Sequence, residues 1–149
     1  MRAVIQRVNG ASVSIDNTIV SSIGRGLLIL VGFQKEDTVS DSEYIISKCT
    51  GLRIFDDDNG FMNLSVSDIG GEILLVSQFT LYGDSRKGKR PSFSTSMPPA
   101  EAEIFYNDFI NRFRESFESL KCGVFAADME VSLVNSGPVT IILDSSKIL

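Results

Sequence analysis

Histidine is absent from all 149 positions of the chain. That absence removes the usual general base, the Ser-His-Asp and Cys-His nucleophile systems, and the commonest zinc ligand. Cysteine is scarce. Cys49 and Cys122 stand alone, without CxxC or other ligand spacing, and read as buried free thiols in a reducing compartment. Long apolar runs are missing too. The longest, Leu27-Leu28-Ile29-Leu30-Val31, is far too short to span a bilayer and not N-terminal enough for a signal peptide. Excess positive charge is also missing: the net charge is −5, and such a chain is not expected to coat nucleic acid nonspecifically. A polyanion would have to be met through a local basic patch. Together the absences favour a cytoplasmic protein with no membrane association, metal or cofactor.

What is present is ordinary for a globular domain. Hydrophobic residues make up 43% and charged residues 22%, and the length fits one domain, residues 1–149, with a real core. Residues 2–8 and 11–16 alternate with period two, and Asp16-Asn17 predicts a turn into a short strand at Thr18-Ile19-Val20. Gly24-Arg25-Gly26 interrupts the chain before a buried strand over residues 27–33. Thr38-Val39-Ser40-Asp41 resembles a capping box that opens a helix to about residue 52, with Ile45, Cys49 and Leu52 as its apolar stripe. Arg53-Ile54-Phe55 is a short strand, and residues 72–79 form another apolar one. Pro98-Pro99-Ala100-Glu101 starts a second helix with Phe105, Phe109, Phe113 and Phe117 at i+4 spacing, a core stripe. Seven or more strands and two helices outside βαβ alternation give an α+β fold, one domain of mainly antiparallel, barrel-like sheet with two helices.

Two motifs imitate chemistry. Gly83-Asp84-Ser85-Arg86-Lys87-Gly88-Lys89-Arg90 follows a strand and nearly matches a phosphate-binding P-loop. Arg90 stands where the magnesium-holding Ser or Thr belongs, and Pro91 and polar residues replace the helix. Asp56-Asp57-Asp58-Asn59-Gly60 hints at calcium, but setting Gly60 at loop position six puts Phe55 at position one, which must be an oxygen donor. It is a solvated turn. The stretch Arg86-Lys87-Gly88-Lys89-Arg90 nonetheless forms the one obvious patch for phosphate, against the plainer reading of a solvated loop.

Two segments carry more. Ser77-Gln78-Phe79-Thr80-Leu81 clusters two hydroxyls and an amide where an apolar strand leaves the core. No histidine or other evident base activates Thr80, so chemistry there would rest on backbone N–H donors and positioned hydroxyls. Asn135-Ser136-Gly137-Pro138-Val139-Thr140 interrupts an otherwise continuous β region. Proline donates no ladder hydrogen bond and glycine tolerates unusual backbone angles. From these residues alone, an ordinary turn and a kink that presents backbone groups to something else both stand.

The pair of segments closely resembles the two signature motifs of D-aminoacyl-tRNA deacylases. The likeness runs along the chain through Val4-Ile5-Gln6-Arg7-Val8, Gly51-Leu52-Arg53-Ile54-Phe55, Arg90-Pro91-Ser92-Phe93 and Phe125-Ala126-Ala127-Asp128-Met129. One departure is Ser136, where the family usually has an acidic residue. The resemblance implies a homodimer that hydrolyses the ester between a D-amino acid and the 3′ adenosine of tRNA, with glycyl-tRNA as a second substrate. It implies that Ser77, Gln78 and Thr80 line the catalytic pocket, with Phe79 and Thr140 supporting it. Gly137 and Pro138, joined by a cis bond, would reach across the dimer and exclude L-amino acids. Arg7 would orient them, Phe125 and Met129 would lie near the terminal adenine, and Arg86, Lys87, Lys89 and Arg90 would meet tRNA phosphates. The substrate 2′-hydroxyl, rather than a protein nucleophile, would assist hydrolysis. A small-molecule ester or thioester hydrolase and a non-catalytic nucleic-acid-binding module are the rival readings.

Overall fold

A computed structural model describes residues 1–148. Strand β1 (Arg2–Ile15) is the spine of the sheet. Its first half pairs antiparallel with β3 (Gly26–Gly32), from Arg2 opposite Gly32 to Val8 opposite Gly26. Its second half pairs with β2 (Thr18–Ile23) through a hairpin whose turn residues, Asp16 and Asn17, have φ of 49° and 61°. Two positive φ values make the primed turn that matches strand twist, and Asp and Asn adopt it most readily after glycine. The two predicted segments at 2–8 and 11–16 are therefore one strand, and β8 (Glu130–Asp144) runs along its other edge.

From β3 the sheet continues in parallel through β6 (Glu72–Ser77) to β7 (Leu120–Cys122), a short strand that the sequence pattern did not reveal. Gly26 marks the closest approach, because a Cβ there would lie 1.8 Å from the Glu72 carbonyl oxygen. The far edge curls back toward β2. Lys121 Nζ donates to the Ser22 carbonyl at 2.7 Å, and the Gly24 N–H donates to a Glu72 carboxylate oxygen at 2.7 Å. The sheet is nearly closed and barrel-like. β4 (Phe55–Asp56) and β5 (Met62–Leu64) form a separate two-stranded ribbon around the acidic turn.

The helices α1 (Val39–Gly51) and α2 (Pro99–Ser116) lie against one face. The predicted capping box is present, with the Thr38 N–H donating to Asp41 Oδ2 at 2.8 Å. On α2 the aromatic stripe divides. Phe109 and Phe113 are fully buried, Phe105 is half-buried against Phe33, and Phe117 falls just beyond the helix as its cap. These rings join Leu27, Ile29 and Val31 of β3 and Ile73 and Leu75 of β6 in the main core. Leu28, Leu74 and Val76 face the opposite way and meet Val8 and Val13 of β1. Burial on both faces is what a central parallel strand requires, and it accounts for the unbroken apolar run at 27–31. Among the described residues no helix is long and apolar enough to cross a membrane.

The Gly-Pro segment is not a turn between two strands. β8 continues through it as one strand, and the Gly137-Pro138 peptide bond is cis. Val8 faces Asn135 and Gln6 faces Thr140, so residues 136–139 stand opposite Arg7 alone. The extra residues form a bulge between two stretches of regular ladder.

Candidate active site

Strands β3 and β6 run in the same direction and stop together, which leaves a hollow beyond their ends. The Gln78 N–H donates to the Val31 carbonyl at 2.7 Å, the last rung of the pair. Beyond it the chain tightens into a 3-10 turn, Phe79–Tyr82, so the predicted strand over 72–79 ends earlier, at Ser77. Two further segments wall the hollow. Residues 93–99 are fastened to the end of β3, with the Met97 N–H donating to the Phe33 carbonyl at 3.0 Å. Residues 125–131 arrive from β7, where the Gly123 N–H donates to the Leu75 carbonyl at 2.8 Å. The result is a cavity of about 790 Å³ floored by Val31, Val76, Ser77 and Gln78. Its size is that of a small-molecule site.

The cavity brings together five of the predicted residues: Ser77, Gln78, Phe79, Phe125 and Met129. Thr80 sits one residue further on, exposed in the 3-10 turn, and its hydroxyl accepts a hydrogen bond from the Gln78 amide. Ala126 lines the wall with φ of 57°, in the left-handed region that residues with a Cβ seldom adopt. Lys35 and Asp128 are the only charged residues that line the hollow among those described. Lys35, Ser94 and Ser96 had no place among the predicted site residues, and Phe93 stood only in the segment Arg90-Pro91-Ser92-Phe93 that carries the family likeness. They lie in or beside polar connections, and only the fold brings them to the ends of β3 and β6.

Thiol chemistry has no place here. Burial pushes the Cys49 thiol up to about 12 and raises that of Cys122, so neither supplies a thiolate at neutral pH. Burial likewise raises the Tyr106 hydroxyl, which donates to the Leu75 carbonyl at 3.3 Å. The polar equipment of the cavity floor is therefore hydroxyl, amide and backbone.

Arg7, Gly137, Pro138 and Thr140 lie outside this cavity, along the β1–β8 ladder. Arg7 is nevertheless tied to the bulge. Its Nε donates to the Ser136 carbonyl at 3.0 Å, and its Nη1 donates to the Ile54 carbonyl at 2.7 Å, with Asp56 Oδ1 at 3.5 Å. Gly137 has φ of +125°, and a Cβ there would sit 2.9 Å from Val139 Cγ2 and 3.0 Å from Arg7 Nη2. Only glycine fits between the guanidinium and the bend.

The basic stretch forms the tip of a narrow loop. Asp84 and Ser92 exchange backbone hydrogen bonds of 2.8 and 2.9 Å at its base. Arg86 is not a free cation: its Nε and Nη2 donate to the Asp84 carboxylate at 2.9 and 2.7 Å. Those hydrogen bonds hold the Asp84 carboxyl at about 2. Lys87, Lys89 and Arg90 form no ion pair among the described residues.

The sequence pattern of the family described as D-Tyr-tRNA(Tyr) deacylase matches residues 4–144. The chain belongs to that family, a family of hydrolases. Among its deacylase relatives, the D-aminoacyl-tRNA deacylase of Thermotoga petrophila is 54% identical over 148 residues, which cover 99% of each chain. The D-aminoacyl-tRNA deacylase of Clostridium botulinum is 54% identical over 147 residues, again 99% of each. A solved structure described as c-Myc DNA Unwinding Element Binding Protein superposes with a TM-score of 0.92 at 44% identity, covering 97% of this chain and 98% of the other. One described as a probable eukaryotic D-amino acid tRNA deacylase has a TM-score of 0.80 at 17% identity, and shares the deacylase fold. The predicted α+β architecture and the family resemblance are both borne out.

Proposed function

We propose that this protein hydrolyses the ester linking a D-amino acid to the 3′ end of tRNA and releases the free D-amino acid and tRNA. The observation that carries the reading is the cavity itself. In a member of a deacylase family, Ser77 and Gln78 sit on its floor and no thiolate or histidine base stands beside them. Water attacks the carbonyl carbon, the ester C–O bond breaks, and the ribose 3′-oxygen leaves with a proton. The neighbouring 2′-hydroxyl of the substrate assists that proton transfer. The N–H groups of Phe79 and Thr80 open the 3-10 turn, have no acceptor within it, and suit the developing oxyanion. Gln78 holds the Thr80 hydroxyl in place.

Gly137 and Pro138 of a second copy set the handedness in this scheme, their backbone carbonyls colliding with the side chain of an L-amino acid. Three features support that role. The bulge lies away from its own cavity, Arg7 braces it from behind, and the outer edge of β8 is exposed, with Val134 and Ile142 each 61% accessible. A homodimer through this face would shelter those residues. Glycine carries no side chain to collide, so glycyl-tRNA mischarged on tRNA(Ala) passes the same filter. Phe125 and Met129 meet the terminal adenine, Thr140 supports the bulge, and Lys87, Lys89 and Arg90, with Arg86 held by Asp84, face phosphates. The cytoplasm, where tRNA is charged, is the place of action.

The deciding measurement is release of tyrosine from D-tyrosyl-tRNA and L-tyrosyl-tRNA. Rapid loss from the D-ester alone is expected; equal rates, or none, would sink the proposal. The likeness to the unwinding-element protein favours a second reading, a DNA-binding module. That reading requires retention of a DNA duplex with no turnover of either ester.

A further inference from the structure

Phe79 and Phe93 are large aromatic residues left 58% and 36% exposed, and both line the cavity. Their rings meet edge to face, with centroids 5.0 Å apart and planes at 63°. An edge-to-face pair leaves ring faces uncovered. Contacts with Ser96 and Gly83 hold the pair in position. The Ser96 hydroxyl donates to the Phe79 carbonyl at 3.3 Å, and the Ser96 N–H donates to the Phe93 carbonyl at 3.1 Å. Gly83 packs so closely that a Cβ there would lie 3.0 Å from Phe93 Cε1. Phe93 also directly follows Ser92, half of the backbone bridge that closes the loop bearing Lys87, Lys89 and Arg90. The aromatic pair thus stands at the exposed edge of the cavity, next in the chain to the bridge that closes the loop bearing the cations.

We infer that Phe79 and Phe93 form a stacking platform for the base of the nucleotide that precedes the terminal adenosine. The inference rests on the function proposed above. A cavity of about 790 Å³ is of the size that holds one small-molecule ligand. It accommodates the aminoacyl group and its adenosine, and the preceding nucleotide must lie outside, across that edge. A single strand leaving the cavity there meets aromatic faces, with cations on the adjoining loop, the combination that grips unpaired nucleic acid irrespective of sequence. Stacking also reads a base that is already unpaired, as a 3′ end is.

The test compares two D-tyrosyl-tRNAs, one intact and one abasic at the penultimate nucleotide, on the wild type and on Phe93→Ala. Removing the base is expected to lower kcat/KM of the wild type roughly 5- to 150-fold, the range for one stacked base. On Phe93→Ala the penalty for removing the base should shrink several-fold, because one of the two rings of the platform is gone. Phe93→Leu, which keeps apolar bulk without a ring face, should fall between and guards against a misfolded alanine variant. The inference is overturned if base removal leaves the wild type unaffected, or slows the variant by the same factor as the wild type. If the wild type cleaves neither ester, the functional reading itself fails, and the platform with it.

Discussion

Arg7 is a charged residue only 9% exposed in an acidic protein, and its position explains why it is there. The guanidinium joins three separate parts of the chain: its own strand β1, the Ile54 carbonyl before β4, and the Ser136 carbonyl of the bulge. A buried carbonyl such as that of Ile54 costs about 1–3 kcal/mol when left unpaired, and the same guanidinium holds the part-buried carbonyl of Ser136. Gly137→Ala is the sharper probe, because φ of +125° and the 2.9 Å approach to Val139 Cγ2 both oppose a side chain. We expect about 1–3 kcal/mol of destabilisation, read from denaturant unfolding. The ratio of D- to L-ester hydrolysis should also fall, as the bulge reshapes. A variant with unchanged stability and unchanged ratio would separate this segment from selectivity. The arginine and the glycine were both legible in the sequence as members of two motifs. Their association followed only from the family resemblance and not from any residue pattern, because 130 positions separate Arg7 from Gly137 and only the β1–β8 register unites them.

The basic loop and the second helix show opposite relations between pattern and place. On α2 the i+4 phenylalanines announced a core stripe, and the structure buries Phe109 and Phe113 completely. Phe109→Ala should cost about 3–5 kcal/mol in thermal or chemical unfolding, the range for emptying a buried aromatic position. A loss below about 1 kcal/mol would mean that the core collapses around the gap. The loop over 83–97 offered only its charges to sequence reading, since no periodicity marks a segment held by isolated bridges. Hence the place of Phe93 and Ser96 at the cavity was not legible, and neither was the pairing of Arg86 with Asp84. Replacing Lys87 and Lys89 together with alanine should weaken binding of D-tyrosyl-tRNA. The dependence of log K on log salt should become shallower by about 0.7 for each single-strand phosphate no longer neutralised. An unchanged slope would move the phosphate-binding groups elsewhere.

Across the whole molecule, the sheet closes where β2, β6 and β7 meet. The Glu72 carboxyl is held below its ordinary value of 4.5, first by hydrogen bonding to Lys121 and next by the Gly24 N–H. Lys121 Nζ lies 2.8 Å from Glu72 Oε1, with both side chains partly exposed. Because the folded value is the lower one, the contribution is fully present above pH 4.5 and is lost as pH falls below it. Solvent screening limits it to about 0.5 kcal/mol. Melting curves of the wild type and Glu72→Gln should therefore differ near pH 7 and converge as the pH falls well below 4.5; a constant gap would assign the effect to packing. The α+β class and the two helices followed from periodicity. The parallel pairing of β3, β6 and β7 did not, because strands buried on both faces lose the alternation that reveals direction and partner. That β8 crosses the sheet to lie beside β1 has a kinetic consequence. The two longest strands lie at opposite ends of the described chain, and β1, paired on one edge by β3 and β2, gains a partner on its other edge only from β8. Such long-range closure is slow relative to local pairing. During synthesis the first strand must therefore wait, one edge open, until the last has left the ribosome. The Gly137 bulge then takes shape only after β8 has docked on β1.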